Sequence, residues 1–437
     1  MHRRQIGDNP CRKIGLEQMQ IIVNNTRITY NCKTAPTQLT WKRTFIMAQL
    51  TADAIVIGAG INGAATALNL LKRGMDKVVL IDRHLLAAGG TGRSAAIIRQ
   101  HYSNDELVHM VKRSTDVFHN FAEEIGGDCG FLCTGWAFLV PPAMSDGLDR
   151  NIALGQRAGV DVREIDHQQL NEIEPRIAIN DVARIAYEPR SGYADPIKTT
   201  HAYVSRFIQL GGEFRPLTQV TGLLGSNSRV SGVQTDRDEI SAGVVVNAAG
   251  PWASRISQFA GVDLPLNVTR EEEVIFETAD MNGPPTLCFS DMALAIYYRP
   301  HGRTQMLVGR GYPKDYQSVD PDHYCERVDV KFIEEVTTRL RQRWKTIGNA
   351  LPVNSYTGLY DVTPDWHPVL GKVDGVDGLY ICAGFSGHGF KIGPAVGELM
   401  ADEIIGAQGG TVSLDRFNLR RFKNGELFTA AYGGNRA

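Results

Sequence analysis

The sequence predicts an α/β fold, and three features carry that expectation. A short apolar run, Ala54-Ile-Val-Ile57, leads directly into the glycine-rich turn Gly58-x-Gly60-x-x-Gly63. The turn opens a helical pattern with Ala64, Ala67, Leu68 and Leu71 on one side, ending near Gly74. A second apolar run, Val78-Val-Leu-Ile81, then stops at an acid, Asp82. Short runs that are apolar throughout are buried parallel strands, so the stretch reads as a βαβ unit of about 30 residues.

Each glycine has its own task in such a unit. Gly58 permits the tight turn, Gly60 lets backbone approach a pyrophosphate, and Gly63 lets the helix pack close to the strand. The helix start, with Ile61 and Asn62, offers free N–H groups and a positive dipole end to phosphate. Asp82 follows Gly63 by about 20 residues, where a ribose-binding carboxylate belongs. This is a Rossmann-like dinucleotide site. The motif alone does not separate NAD from FAD. Three further small-residue loops favour a long cofactor that touches backbone at several places: Ala88-Gly-Gly-Thr-Gly-Arg-Ser94, Val244 to Gly250, and Gly384 to Gly389. The expected cofactor is therefore FAD.

Composition bounds the rest. A chain of 437 residues holds two core-forming domains, and 43% hydrophobic with 22% charged residues is ordinary for a soluble globular protein. The net charge of -2 gives no electrostatic reason to expect nucleic acid or an acidic membrane as partner. No apolar run approaches the roughly 18 residues that span a bilayer. The seven cysteines are scattered and odd in number, as expected of reduced thiols in the cytoplasm. Cys129 and Cys133 lack a second Cys/His pair at metal-site spacing, so no metal is expected.

Residues 1–46 are basic and acid-poor, with no sustained helical or strand period. Met47 precedes the first strand by a few residues and is read as the functional start. Residues 1–50 are then a disordered or spurious extension, and the competing reading is a mitochondrial transit peptide. After the βαβ unit, helices are expected near 105–125, 145–159 and 196–210, and three short strands between Val220 and Val246. Two aromatic strands, Ala293–Tyr298 and Gln305–Val308, flank a turn at His301-Gly302. A basic amphipathic helix covers 328–344, a strand Leu379–Cys382, and a last helix Gly393 to about Ile405.

Four segments together resemble the D-amino-acid oxidase-like flavoproteins, within them the sarcosine oxidase, glycine oxidase and proline dehydrogenase branch. They are the Gly58 turn with Asp82; Thr91-Gly-Arg-Ser-Ala-Ala-Ile-Ile-Arg99; Val246-Asn-Ala-Ala-Gly-Pro-Trp252; and Gly358-Leu-Tyr-Asp-Val-Thr-Pro-Asp365 paired with Gly384-Phe-Ser-Gly-His-Gly-Phe-Lys391. The resemblance runs from about Asp53 to about Gly406. It implies a Rossmann-like FAD-binding domain assembled from the discontinuous segments 51–135, 190–265 and 356–410. An α+β substrate domain with a mixed sheet, 136–189 and 266–355, is interleaved with it, and 411–437 form a C-terminal tail. The cofactor contacts it implies are Gly58, Gly60, Ile61, Asn62, Gly63, Asp82, Arg83, Gly90, Thr91, Gly92, Arg93, Ser94 and Val220. They continue with Ala248, Ala249, Gly250, Trp252, Gly358, Gly384, Gly387, His388, Gly389, Phe390 and Lys391.

The resemblance also implies chemistry: oxidation of a carbon–nitrogen bond by hydride transfer to flavin, leaving an imine. Arg99 and Lys391 match positions that clamp a substrate carboxylate, which argues for an amino acid, expected in the secondary class of N-methyl amino acids, proline or opines. Tyr298 and Tyr360 match aromatic pocket positions, and His388 sits beside the flavin loop. Gly358 stands where some sarcosine oxidases carry a flavin-linking cysteine, and Gly192-Tyr-Ala-Asp-Pro196 lacks the histidine that holds a second flavin. One non-covalent FAD per chain is thus expected. Leu307 stands where some oxidases place a lysine that helps reduce oxygen, so the electron acceptor is either oxygen or a quinone or protein partner. Two other readings stay open: a 2-hydroxy-acid dehydrogenase, and a flavoprotein subunit relaying electrons in a complex. Whichever holds, the chain is open to a homo-oligomer or a hetero-complex.

Overall fold

A computed structural model of the chain describes residues 18–23, 26–31, 50–226, 228–311, 316–348, 350–407 and 412–432. It divides into two units, Met1–Leu50 and Thr51–Ala437. In the first, strands Gln18–Val23 and Thr26–Asn31 pair antiparallel, with Ile21 opposite Ile28. No sustained period in the sequence announces these two strands. The β-branched residues Ile21, Ile22, Val23, Thr26, Ile28 and Thr29 favour extended backbone. Met47 lies outside the described residues.

The second unit holds two eight-stranded sheets. In the first sheet Leu50–Ile57 lies between Val78–Ile81, to which it is parallel, and Glu239–Asn247. Glu213–Arg215 extends one edge, Arg229–Thr235 and Val220–Ser226 the other, and Leu379–Ala383 adds in parallel to Glu239–Asn247. Ala54 to Ile57 and Val78 to Ile81 are buried throughout, as runs covered on both faces must be. Helix Ile61–Lys72 packs against helix Gly389–Ile405, the final helix expected from the sequence. A Cβ on Gly397 would lie 2.5 Å from the Ala65 backbone, and one on Gly393 2.8 Å from Ile61, so these glycines set the close approach. The final helix starts at Gly389, four residues before the expected Gly393, and carries Pro394 inside its first turns. Pro394 is the sixth residue of the helix, so its ring removes the N–H that would otherwise bond to the Phe390 carbonyl.

The second sheet runs Pro352–Val362, Asn267–Glu277, Gln305–Arg310, Ile296–His301, Cys288–Asp291, Trp136–Val140, Arg184–Glu188 and Arg163–Ile165. One pair, Cys288–Asp291 with Trp136–Val140, is parallel, so the sheet is mixed. Side chains alternate between its faces. Val274, Phe276, Phe289, Tyr298 and Val308 form one core with Phe332, Val336 and Leu340 of helix Val330–Arg343. Their sequence neighbours, among them Glu273 and Tyr297, point to the opposite face. The strand expected over Ala293–Tyr298 begins at Ile296 instead, because Asp291 accepts from Leu294 N in a turn that puts Ala295 at φ 48°.

Pro352–Val362 pairs along its length with Asn267–Glu277. It therefore crosses the expected boundary between 355 and 356. The C-terminal tail is anchored within 412–432. Arg421, in helix Arg420–Asn424, forms a fully buried ion pair with Asp365, Nε to Oδ2 2.8 Å, with both side chains 1% exposed.

Candidate active site

The glycine turn is built as its spacing requires. Gly58 has φ 110°, and a Cβ on it would sit 2.3 Å from the Ala248 carbonyl oxygen. A Cβ on Gly63 would sit 1.9 Å from the Gly58 oxygen. The turn is thereby locked to the end of Glu239–Asn247, where Ala248 N donates to Ile57 O. Gly60 precedes helix Ile61–Lys72 with no side-chain cap. Thr91 Oγ1 accepts from Ile61 N at 3.1 Å, which ties the second small-residue loop to the helix start. Asp82 accepts from Ala59 N and His84 N, each at 2.7 Å. Those bonds aim its carboxylate and leave lone pairs for a further donor.

A long cavity runs along this cradle. Its wall includes Gly58, Gly60, Ile61, Asn62, Gly63, Asp82, Arg83, Gly90, Thr91, Ser94 and Val220. It continues past Ala248, Ala249, Gly250 and Trp252 to Tyr360, Gly387, Gly389 and Phe390. At one end Arg83 lies 4.2 Å over the Trp252 ring and bonds Asp322, which also accepts from Trp252 Nε1 and Arg255. Desolvation would raise the Asp322 pKa, but these three donors hold it well below the usual carboxylate range. Asp322 and Arg255 carried no sequence signal, since they sit in a loop and a short helix with no motif.

A second, smaller cavity of about 120 Å³ opens beside the far end. Ser94, Tyr360, Gly387 and Phe390 line both cavities. The smaller one adds Arg93, Arg99, His388, Lys391, Glu273 and Tyr297. Arg99 is held over the Tyr102 ring at 4.7 Å and donates to the His101 carbonyl. Lys391 lies in the first turn of the final helix and is 9% exposed. Burial, then Arg99, pushes its pKa well below the ordinary lysine value. Burial, then Lys391 and Arg99, likewise keeps His388 neutral, and its Nδ1 lies 2.8 Å from Tyr102 Oη. Burial first, then Glu271 and Glu273, raises the Tyr360 pKa well above normal. The cavity thus presents the basic side chains of Arg93, Arg99 and Lys391, the Glu273 carboxylate and the hydroxyls of Tyr297 and Tyr360 to a small ligand.

The two paired motifs meet because of Asp361 and Ser386. Asp361 Oδ2 accepts from Gly384 N at 2.7 Å, its carbonyl accepts from Ser386 N, and Ser386 Oγ accepts from Thr363 N. A Cβ on Gly387 would be 2.5 Å from the Tyr360 ring.

Four of the expected contact positions line neither cavity. Gly92, Gly358 and Gly384 are sites of close approach: added Cβ atoms would meet Ala87 O at 2.3 Å, Arg93 Cβ at 3.0 Å and Thr363 Cγ2 at 2.5 Å. Tyr298 is the fourth, and a correction. It is fully buried on the far face of the sheet, stacked on Phe289 at 4.9 Å and edge-on to Trp344. Tyr297 faces the cavity in its place. Adjacent strand residues point to opposite faces, and two neighbouring tyrosines give no sequence sign of which one faces the pocket. Glu273 was also missed, being one of three successive glutamates, Glu271 to Glu273.

The uncapped helix start, the glycines that a Cβ would fill and the carboxylate of Asp82 fit an FAD laid along the longer cavity. No group of three or more metal-binding side chains occurs among the described residues, and no helix there is long and apolar enough to cross a membrane.

Comparisons agree with this geometry. The chain is 27% identical over 384 residues to sarcosine oxidase subunit beta of Arthrobacter sp, covering 86% of this chain and 92% of that one. It is 29% identical to a probable sarcosine oxidase of Arabidopsis thaliana, covering 85% and 93%. The structure of L-proline dehydrogenase from P. horikoshii superposes with a TM-score of 0.80 at 29% identity, covering 87% of this chain and 100% of the other. Glycine oxidase from Geobacillus kaustophilus, at 22% identity and a TM-score of 0.75, shares the fold. The FAD dependent oxidoreductase family, DAO, matches residues 53–403. The chain belongs to that family and is an FAD-dependent oxidoreductase.

Proposed function

We propose that the protein oxidises the carbon–nitrogen bond of a small amino acid, with a secondary amino acid such as an N-methyl amino acid, proline or an opine as substrate. One observation carries this reading: Arg99 and Lys391 line the same small cavity, which adjoins the cofactor cavity at Tyr360 and Gly387. Bound FAD would supply the hydride acceptor. The residues bind, orient and exclude water. Arg99 offers a planar fork of donors and Lys391 a point charge to one carboxylate. Fixing that carboxylate turns the α-carbon toward the end of the cavity shared with the cofactor. A carboxylate beside Lys391 also restores the charge that burial disfavours there.

We read the FAD as single and non-covalent. Gly358 carries no side chain to bond it, and burial pushes the Cys382 thiol in the cavity wall up to about 12, so that it stays protonated. Leu307 stands where, by the resemblance, some oxidases place a lysine, and the missing cation favours an acceptor other than oxygen. The two sheets are read as the FAD-binding and substrate domains.

The test is anaerobic reduction of the bound flavin by a panel of amino acids and 2-hydroxy acids, followed by admission of oxygen. Bleaching by a secondary amino acid is the expected result, with slow recovery in air. Bleaching by hydroxy acids alone would overturn the reading.

A further inference from the structure

The smaller cavity is bipolar, and its acidic wall has a structure of its own. In the second sheet the register places Glu273 opposite Gly309 and Gly309 opposite Tyr297, so the three stand in one row across adjacent strands. The central residue has no side chain. A Cβ on Gly309 would lie 2.3 Å from the Tyr297 hydroxyl and 2.8 Å from Glu273 Oε2. The Tyr297 ring lies across that gap and its hydroxyl donates to Glu273 Oε1. Tyr297 is also hydrogen-bonded to Tyr360, which lines both cavities. Glu273 is 4% exposed, yet it belongs to the cavity wall. The result is a carboxylate, oriented by a hydroxyl chain, in the wall of a cavity whose other charged groups among the described residues are Arg93, Arg99, Lys391 and the Arg343-paired Asp291.

We propose that Glu273, oriented by Tyr297, binds the positively charged nitrogen of the substrate, so that the pocket selects an amino acid zwitterion over an uncharged isostere of the same shape. This rests on the amino-acid reading above. The division of labour follows from charge: the carboxylate end goes to Arg99 and Lys391, the ammonium end to Glu273. A desolvated carboxylate gains most from a partner of opposite charge that also donates a hydrogen bond. The Glu273–Tyr297–Tyr360 chain puts that nitrogen at the junction with the cofactor cavity, where the bond to be oxidised has to lie.

The experiment uses matched ligand pairs on the FAD-loaded protein, pre-reduced with dithionite under anaerobic conditions so that no hydride can be transferred, with binding read by isothermal titration calorimetry. The pairs are L-proline against tetrahydro-2-furoate, and sarcosine against methoxyacetate, each with oxygen in place of nitrogen. Wild-type protein should bind the nitrogen member at least 10-fold tighter. Glu273→Gln should bring the two to within about 3-fold, while binding of the oxygen member stays within 3-fold of wild type, and Tyr297→Phe should fall between. Equal losses for both members, or an unchanged preference in Glu273→Gln, would overturn the proposal. Because binding is read without turnover, a wild-type protein that discriminates the pairs but is bleached by no amino acid would sink the functional reading and leave this one standing.

Discussion

The cofactor cradle and the substrate cavity are built by different means. The cradle is made largely of backbone. Gly58, Gly60 and Gly63 act by lacking side chains, and the uncapped helix start acts through its N–H groups. The smaller cavity, proposed above to hold the substrate, is made of side chains from distant segments: Arg99 after a short strand, Lys391 on helix Gly389–Ile405, Tyr297 and Glu273 on a sheet. A backbone device is local and either fits or fails. A side-chain device can be trimmed one group at a time, so the two regions should respond differently to substitution.

The largest effect is expected in the cradle. Gly58→Val puts a branched side chain at φ 110° against the Ala248 carbonyl. Backbone strain alone is worth about 1–3 kcal/mol, and the overlap adds to it. The purified variant should carry no flavin absorbance; full flavin content would break the contrast.

Next comes the buried pair that joins the C-terminal segment to the Asp365 motif. Arg421→Met should cost about 3–5 kcal/mol, since it strands a buried carboxylate, and thermal denaturation reads the loss. The pair also sets a pH dependence. Desolvation raises the Asp365 pKa, but the Arg421 hydrogen bond and charge outweigh it and hold the folded value below normal. A depressed carboxylate contributes stability above its unfolded pKa of about 3.9, and loses it as pH falls through the lower folded value. Wild-type stability should therefore fall more steeply in that acid window than that of the double variant Asp365→Asn/Arg421→Met. Parallel acid limbs would count against the pair.

In the substrate cavity, Arg99→Ala and Lys391→Ala should each raise KM for a carboxylate substrate. A lost charged partner costs about 2–5 kcal/mol, and 2 kcal/mol is roughly 30-fold. Flavin content should stay full in both. If neither KM moves, the clamp is wrongly assigned.

The smallest effect sharpens the comparison most. Tyr298 Oη is buried without a hydrogen-bond partner among the described residues. Tyr298→Phe should change stability by less than about 0.5 kcal/mol or raise it, because an unsatisfied buried hydroxyl is removed. Activity should not change. Tyr297→Phe should lower kcat/KM by about tenfold, the worth of one hydrogen bond to a charged group. The reverse pattern would restore Tyr298 to the pocket.

Much of this could be read from residues in order. The strand at Val78–Ile81 falls where its apolar run placed it, and helix Pro196–Gln209 falls one residue short of its expected end. Leu379–Ala383 extends one residue past its expected limit. Arg99, Lys391, Tyr360 and His388 were each found from motif positions, and they do meet in one cavity. Tyr298 was misplaced by a single residue, and Glu273, Tyr102, Arg255 and Asp322 were not seen at all.

By itself, then, the sequence determined the local chemistry: where glycine must stand, where an apolar run buries a strand, and where an acid ends it. Those are short-range steric and hydrophobic constraints, and each is written in a few consecutive residues. Only the tertiary structure decided which face of the second sheet lines the smaller cavity. Strand register and pairing fix that choice, and register is set by partners as far away as Asn267–Glu277 is from Pro352–Val362. A two-residue side-chain period turns a slip of one position into the difference between a core tyrosine and a pocket tyrosine.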